Sequence, residues 1–312
     1  LNGERGYKDS VAYIPVELDF ERKIMIIKAW TRQHIAHEEH KAENLLDHIK
    51  KLMCIEFKVE IKNFMSRHKK VLFLMSKNLI DEAYSQVPAY NQIDYLVENI
   101  KDFEIEIVNT LPLKNINGDG KGNYFLDKGV MNFEAEIRNT LECLAISDYF
   151  YNKNFDEIWN LGLEAVVARV KFNDEEKVLT SLSGENTSTP IFCTKTFMAL
   201  KNRMEERKQI EILWVTMERK RGNLNLKFDA SNTEYLEMLI RYGIRFNERD
   251  MNSALEIYEK YEEKLHKEHE KADKKNAKRE AKLAARAEKQ AVRDAKKNAK
   301  KKKSRPVAAP SG

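Results

Sequence analysis

Histidine and carboxylate side chains cluster near the start of the chain, where their spacing could hold a metal ion. On a helix, His37 and His40 lie one turn apart, and His40, Glu43 and Asp47 share one face. Imidazole and carboxylate groups are ligands that zinc and iron accept in proteins. However, Lys41 stands where an HExxH zinc motif needs its second histidine. We therefore interpret this stretch as a solvated polar face, and a helical metal enzyme is the outlying hypothesis.

The other candidate catalytic motifs are incomplete. The segment from Asn115 to Gly120 opens like an EF-hand calcium loop, but Leu126 stands where that loop needs a bidentate glutamate. This segment therefore predicts a plain turn. The chain has neither a GxxxxGK[ST] phosphate loop nor a GxSxG nucleophile elbow. We expect the protein not to be an enzyme and to use no metal or other cofactor.

The strongest chemical signal is the basic C-terminal tail. Between Lys271 and Arg305 there are sixteen Lys or Arg and four acids, a net charge of +12, whereas the whole chain carries +5. The rest of the chain is therefore acidic. Lysine and arginine that neutralise phosphates release condensed counterions, which gives salt-dependent affinity without sequence preference. The predicted nucleic-acid-binding residues of the tail are Lys274, Lys275, Lys278, Arg279, Lys282, Arg286, Lys289, Arg293, Lys296, Lys297, Lys300, Lys301, Lys302, Lys303 and Arg305.

The conformation and the partner of the tail leave alternatives open. Its Ala, Lys, Arg and Glu favour a helix, supported by Glu263–Lys267 and Glu270–Lys274 pairs, but it lacks the apolar stripe of a coiled coil. We expect a solvated helix that is disordered towards Lys300–Arg305. The tail could also fold back on the acidic body, bind a protein or only solubilise the chain. A membrane surface is disfavoured, because no aromatic or leucine-rich face accompanies the charge.

A second basic patch is predicted at a hairpin turn. Alternating and β-branched residues predict two strands between residues 209 and 228, and the turn contributes Arg219, Lys220 and Arg221 to the predicted nucleic-acid-binding set. Trp214 could stack on a base, but its apolar run favours a core position. No RNP1, KH-type or zinc-finger motif is present, so we expect no recognition of a particular base sequence.

The composition divides the chain into three parts. Residues 1–12 are a flexible lead-in, 13–265 a helix-rich body and 266–312 the basic tail, and the polar segment 173–190 is a candidate internal boundary. Three widely spaced cysteines without a CxxC motif indicate reduced thiols in a reducing compartment, which we take as the cytoplasm. No apolar run approaches the roughly 18 residues that suggest a membrane-spanning helix.

Hydrophobic periodicity predicts an α+β fold, predominantly helical with a small antiparallel β element. Helices are predicted over 21–51, 57–85, 91–103, 130–151, 155–170, 194–208 and 235–242. A last helix is predicted from Asn252 into the tail, with an apolar face formed by Ile257, Tyr258, Tyr261 and Leu265. Strands are predicted over 12–20, 103–108 and 124–126 and in the 209–228 hairpin. The capping-box pattern of Ser231 and Glu234 supports the helix over 235–242.

Together these features predict a non-enzymatic protein that binds nucleic acid through its tail. RNA is slightly favoured over DNA, because no helix-turn-helix signature stands out. In this hypothesis the tail supplies electrostatic affinity and the body supplies shape or partner contacts. The alternative is a structural or assembly protein, in which the acidic body self-associates or binds a protein partner and the tail is a tether.

Overall fold

The structure is a computed structural model, and it divides into two compact units, Leu1–Asn63 and Phe64–Gly312. The candidate boundary at 173–190 lies within the second unit. The structure describes residues 14–28, 42–59, 66–97, 99–111, 113, 133–150, 157, 161–173, 178–185, 189–219, 222–232, 235–241 and 248–303, with the backbone alone at 42, 43, 101, 241 and 281 and after residue 282.

The first unit contains a short hairpin and a helix. Strand β1 (Val16–Asp19) pairs antiparallel with β2 (Ile24–Ile27), and helix α1 spans Ala42–Glu56. The register places Val16 opposite Ile27. The extended segment predicted over 12–20 is therefore confirmed within β1.

The helix predicted over 21–51 is wrong in its first part, because β2 occupies residues 24–27. The turn before β2 explains the difference. Asp19 accepts a hydrogen bond from the Arg22 amide at 2.8 Å, and Lys23 adopts a left-handed φ of 59°. These two features reverse the chain and place the apolar run of β2 against β1.

The second unit is built on a five-stranded antiparallel sheet with strand order β4-β3-β5-β6-β7. The strands are β3 (Val166–Asn173), β4 (Leu179–Ser183), β5 (Ile212–Met217), β6 (Leu224–Asp229) and β7 (Glu237–Arg241). β5 and β6 form the predicted hairpin, with Leu213 opposite Phe228 and Met217 opposite Leu224. The buried side chains of β3, β5 and β6 form a large part of the core.

The second unit also contains six helices within the described residues. They are α2 (Arg67–Ser85), α3 (Ile93–Val97), α4 (Ile100–Thr110), α5 (Phe133–Phe150), α6 (Lys195–Arg207) and α7 (Glu248–Lys303), and a 3₁₀ turn spans Tyr90–Gln92. The predominantly helical α+β class is thereby confirmed. Across the ranges that the structure describes, no helix combines the length and apolarity needed to cross a bilayer.

The sheet corrects the predictions for residues 155–190. The helix predicted over 155–170 is wrong at its end, where Val166, Val167 and Val170 belong to β3 and are fully or almost fully buried. Valine is β-branched and packs well on a buried pleated surface. β4 pairs with β3 and lies within the polar segment 173–190, the candidate internal boundary.

The helix predicted over 235–242 is also wrong, because β7 occupies residues 237–241 and pairs with β6. Leu236, Met238 and Ile240 alternate along this segment and pack against the core. This alternation is typical of a strand. It outweighs the capping-box pattern that precedes the segment.

The strand predicted over 103–108 is wrong, because α4 covers these residues. Ile100 is buried together with Ile93 and Val97, which precede it at helical spacing. The alternation of Glu and Ile from residue 104 to 107 therefore does not set the local structure. The returning strand predicted over 124–126 lies outside the described residues.

Candidate nucleic-acid interface

Helix α7 begins in the core of the second unit and continues into the basic tail. Its buried side chains recur at helical spacing and form one face. These residues are Ala254, Ile257, Tyr258, Tyr261 and Leu265. The Tyr258 ring stacks on Phe228 of β6, with 6.1 Å between the ring centroids. The apolar face predicted for the last helix is therefore confirmed.

Polar contacts also hold the first part of α7 against α2. The Tyr258 hydroxyl and Nδ1 of His68 are 2.6 Å apart in a buried position. Burial, with a smaller contribution from the Arg67 charge, lowers the pKa of His68. A guanidinium nitrogen of Arg67 lies 3.0 Å from a carboxylate oxygen of Glu262. This part of α7 is thus fixed by apolar packing, a buried hydrogen bond and an ion pair.

The helix leaves the core after Leu265, and the side chains of residues 266–280 are exposed. Both predicted ion pairs form at this point. Nζ of Lys267 is 2.6 Å from a Glu263 oxygen, and Nζ of Lys274 is 3.8 Å from a Glu270 oxygen. The hydrogen bond from Lys267 lowers the pKa of Glu263. These pairs support the helix across the change from an acidic to a basic composition.

Most of the Lys and Arg positions of the tail fall on one side of α7. With residues about 100° apart, thirteen of the fifteen basic positions from Lys271 to Lys303 lie within an arc of about 140°. At about 1.5 Å per residue this basic stripe is roughly 48 Å long. Its members are Lys271, Lys274, Lys275, Lys278, Arg279, Lys282, Arg286, Lys289, Arg293, Lys296, Lys297, Lys300 and Lys303. Lys301 and Lys302 fall outside the arc.

The acidic positions of the same segment lie on the opposite side of α7. Asp273, Glu280, Glu288 and Asp294 fall between about 140° and 260° around the helix from Lys271, and none lies within the basic stripe. Alanines occupy most of the remaining positions there. This separation concentrates positive potential along one side of the helix. A linear polyanion laid along that side faces no carboxylate position.

The proximal part of the basic stripe is largely unpaired among the residues that the structure describes. The exposed Lys275, Lys278, Arg279 and Lys282 form no ion pair with any residue that the structure describes. The predicted alternative in which the arm folds back on the acidic body has no support from this segment. Among the described residues, no carboxylate therefore pairs with these four charges.

The predicted tail residues fall into three groups according to how far the structure describes them. The five from Lys274 to Lys282 are exposed side chains on α7, those from Arg286 to Lys303 are placed by the helical backbone, and Arg305 lies outside the described residues. The helix extends to Lys303, into the segment Lys300–Arg305 for which disorder was predicted. Lys271 was not predicted. Lys271 can be identified by plotting the Lys and Arg residues at the helical period, but not from the period of the apolar residues.

The predicted basic turn is only partly described. Arg219 is half-buried, with one guanidinium nitrogen 4.0 Å from the Met217 sulfur, and Lys220 and Arg221 lie outside the described residues. The stacking contact between Phe228 and Tyr258 joins the hairpin to α7 at the end of the hairpin opposite the turn. This contact therefore does not join the turn to the basic stripe. Trp214 is 8% exposed, which confirms its predicted core position.

The candidate metal-binding side chains do not form a described site. His37 and His40 lie outside the described residues, and Glu43 is described by its backbone alone. The Asp47 carboxylate instead lies 2.6 Å from Nζ of Lys50, and this hydrogen bond lowers the pKa of Asp47. Where side chains are described, no three potential metal ligands converge. The EF-hand-like glycine segment also lies outside these residues.

A buried ionic contact links α5 to α6. Nζ of Lys201 contacts one carboxylate oxygen of Glu142, and Nε of Arg138 lies 3.1 Å from the other. Lys201 is 6% exposed and Glu142 is 3% exposed. The Lys201 ammonium also lies 5.4 Å from the centre of the Tyr84 ring. Because these groups satisfy one another, we assign them to the stability of the body.

The basic stripe can form ion pairs and hydrogen bonds with anionic oxygen atoms. Lysine offers a mobile ammonium group, and arginine offers a planar fork of donors. Comparison with protein-family models, with curated proteins and with solved structures found no match. The functional argument therefore rests on the geometry and charge of α7.

Proposed function

We propose that this protein is a non-enzymatic nucleic-acid-binding protein whose basic stripe holds the phosphate backbone. The observation that carries the proposal is the separation of charge around α7, with thirteen of the fifteen basic positions on one side and all four acids on the other. A tail that only solubilises the protein needs no such separation. Phosphate contacts position a protein without reporting base sequence, so the proposal covers both RNA and DNA.

The attachment of α7 to the body supports the same proposal. Because the helix is fixed through Tyr258 and its apolar face, nucleic acid on the basic stripe is coupled to a folded body. Part of the ordering of this helix is thus completed before binding, which lowers its entropic cost. The three cysteines are free. This is compatible with the reducing, cytoplasmic setting that forms part of the proposal.

Binding of labelled RNA and DNA to the full chain and to a chain ending at Leu265 tests the proposal. The shorter chain keeps the buried face of α7, and its thermal unfolding should match that of the full chain. We expect the full chain to bind, with an affinity that falls on the order of a thousandfold or more between about 50 and 200 mM salt if six or more phosphates are contacted. The shorter chain should lose most of this affinity.

Two results would overturn the proposal. If the full chain binds neither RNA nor DNA at low salt, the basic stripe is not a nucleic-acid site. If the chain ending at Leu265 binds as tightly as the full chain, another surface of the body holds the nucleic acid.

Self-association is a second candidate function, and the charge distribution along α7 favours it. From Glu248 to Glu270 the helix has eight acids and four Lys or Arg, opposite in sign to the segment that follows. Two copies in antiparallel orientation would place acidic and basic segments side by side. Sedimentation of the full chain at low and high salt tests this candidate. A dimer that dissociates in high salt supports it, and a monomer at low salt contradicts it.

A further inference from the structure

We infer that the preferred ligand of the basic stripe is double-stranded nucleic acid, held by its phosphates alone. This inference rests on the proposed function and narrows its ligand class. It draws on three features of the segment after Leu265, which are its amino-acid composition, its straight helical geometry and its one-sided charge.

The composition of the segment disfavours single strands. Tyr261 is the last Phe, Tyr or Trp of the sequence, and its side chain is 3% exposed. Proteins that bind single strands stack successive bases on aromatic side chains, which supply much of the affinity. The imidazoles of His266 and His269 precede the basic stripe, and no aromatic side chain is present from Lys271 to Lys303, so the stripe binds without base stacking.

The helical geometry favours a stiff, densely charged ligand. A duplex presents about one phosphate per 1.7 Å of its axis, about twice the density of one of its strands. The basic stripe is roughly 48 Å long, which exceeds one helical turn of a B-form duplex, about 34–36 Å. A duplex holds its phosphates at fixed positions, so it benefits when the charges of the protein lie on one side. A flexible single strand can bend towards charges in several directions, so it gains little from that arrangement.

The position of the charges on one side also distinguishes binding by this helix from binding by a disordered polybasic arm. A disordered polybasic arm depends mainly on its net charge, because the chain can turn each charge towards the ligand. A helix presents its charges in fixed directions, so their positions decide how many reach one duplex. The arrangement of charge can therefore be tested separately from its amount.

A rearranged full-length chain provides this test. In it, five basic residues exchange places with alanines that lie outside the basic stripe, so length, composition and net charge stay the same. The exchanged pairs are Lys278 with Ala277, Lys282 with Ala284, Arg286 with Ala287, Lys289 with Ala291, and Lys296 with Ala295. Several exchanged charges now lie near acids on the other side of α7, so helix content should not fall. Circular dichroism checks this point.

Both chains are titrated with 30-base-pair duplex DNA, duplex RNA and single strands of the same length at fixed salt. We expect the original chain to bind both duplexes more tightly than single strands. The rearranged chain should bind the duplexes about tenfold or more weakly, because fewer counterions are released, and should bind single strands as before.

The failures of the two proposals can be told apart. If the rearranged chain binds duplexes as tightly as the original, or if the original prefers single strands, the duplex inference is overturned and nucleic-acid binding by the tail stands. If neither chain binds any of the four ligands, the proposed function fails and the inference fails with it.

Discussion

At the scale of single residues, the contact between His68 and Tyr258 connects the body to the helix that carries the basic stripe. His68 is 7% exposed, and its Nδ1 lies 2.6 Å from the Tyr258 hydroxyl. Tyr258 also stacks on Phe228. This tyrosine therefore joins α2, β6 and α7, and the protonation of His68 bears on the stability of that junction.

The stability of the body should fall as the pH decreases from 7.5 to 5.5. Burial lowers the pKa of folded His68 below its ordinary value of 6.5, so the unfolded chain binds more protons in this window. The stabilisation is complete above pH 6.5 and is lost as the pH falls through that value towards the folded pKa. Urea unfolding at several pH values measures the effect. A His68→Gln variant should show a smaller loss over the window, and an equal loss would contradict this assignment.

The buried pair of Lys201 and Glu142 should contribute strongly to stability. Lys201→Met leaves a buried carboxylate with Arg138 as its remaining close cation, and we expect a loss of about 3 kcal/mol in the free energy of unfolding. Thermal and urea unfolding measure this loss. Replacing both Lys201 and Glu142 by Met should cost less than the single change, because no buried charge is then left. A single variant as stable as the parent chain would contradict the account.

At the scale of elements, the sequence identified features that depend on one periodicity. The apolar face of α7 and the β5–β6 hairpin were predicted, because each repeats at the period of its own secondary structure. The strand predicted over 103–108 failed, since Ile100 packs in a helical series with Ile93 and Val97. β3 pairs with β5, which is distant in sequence, and β7 pairs with β6, the strand directly before it; local propensity reports neither pairing.

The candidate site was predicted in its composition but not in its geometry. The list of tail residues followed from charge alone, and the restriction of charge to one side emerged once α7 was known to be helical to Lys303. The Lys and Arg spacing was present in the sequence. The helical length was not, because like charges three and four residues apart oppose a helix and the tail buries no apolar face.

The helix content of the free tail should therefore rise with salt. Like-charged neighbours such as Lys278 and Lys282 or Lys289 and Arg293 repel each other four residues apart, and added salt screens this repulsion. Circular dichroism of the full chain from about 20 to 500 mM salt measures the change. The chain ending at Leu265 is the control and should show no rise. A helix content that falls with salt would contradict the account.

At the scale of the whole molecule, the second unit combines a mixed α+β body with a long charged helix. The sheet, α2 and the first part of α7 share one core. The net positive charge of the chain is concentrated in the tail, beyond that core. In the account proposed here, the body fixes the origin of the helix and the basic stripe supplies the affinity. The two parts should consequently respond differently to ligand.

Hydrogen–deuterium exchange of the full chain, with and without a 30-base-pair duplex at low salt, tests this central claim most directly. The account predicts slower amide exchange in residues 271–303 when the duplex is bound, with unchanged exchange in β3, β5 and β6. Ordering of the helix by phosphate contacts is the physical cause. Protection confined to the body, for example at the turn after Met217, with no change in residues 271–303, would contradict the claim.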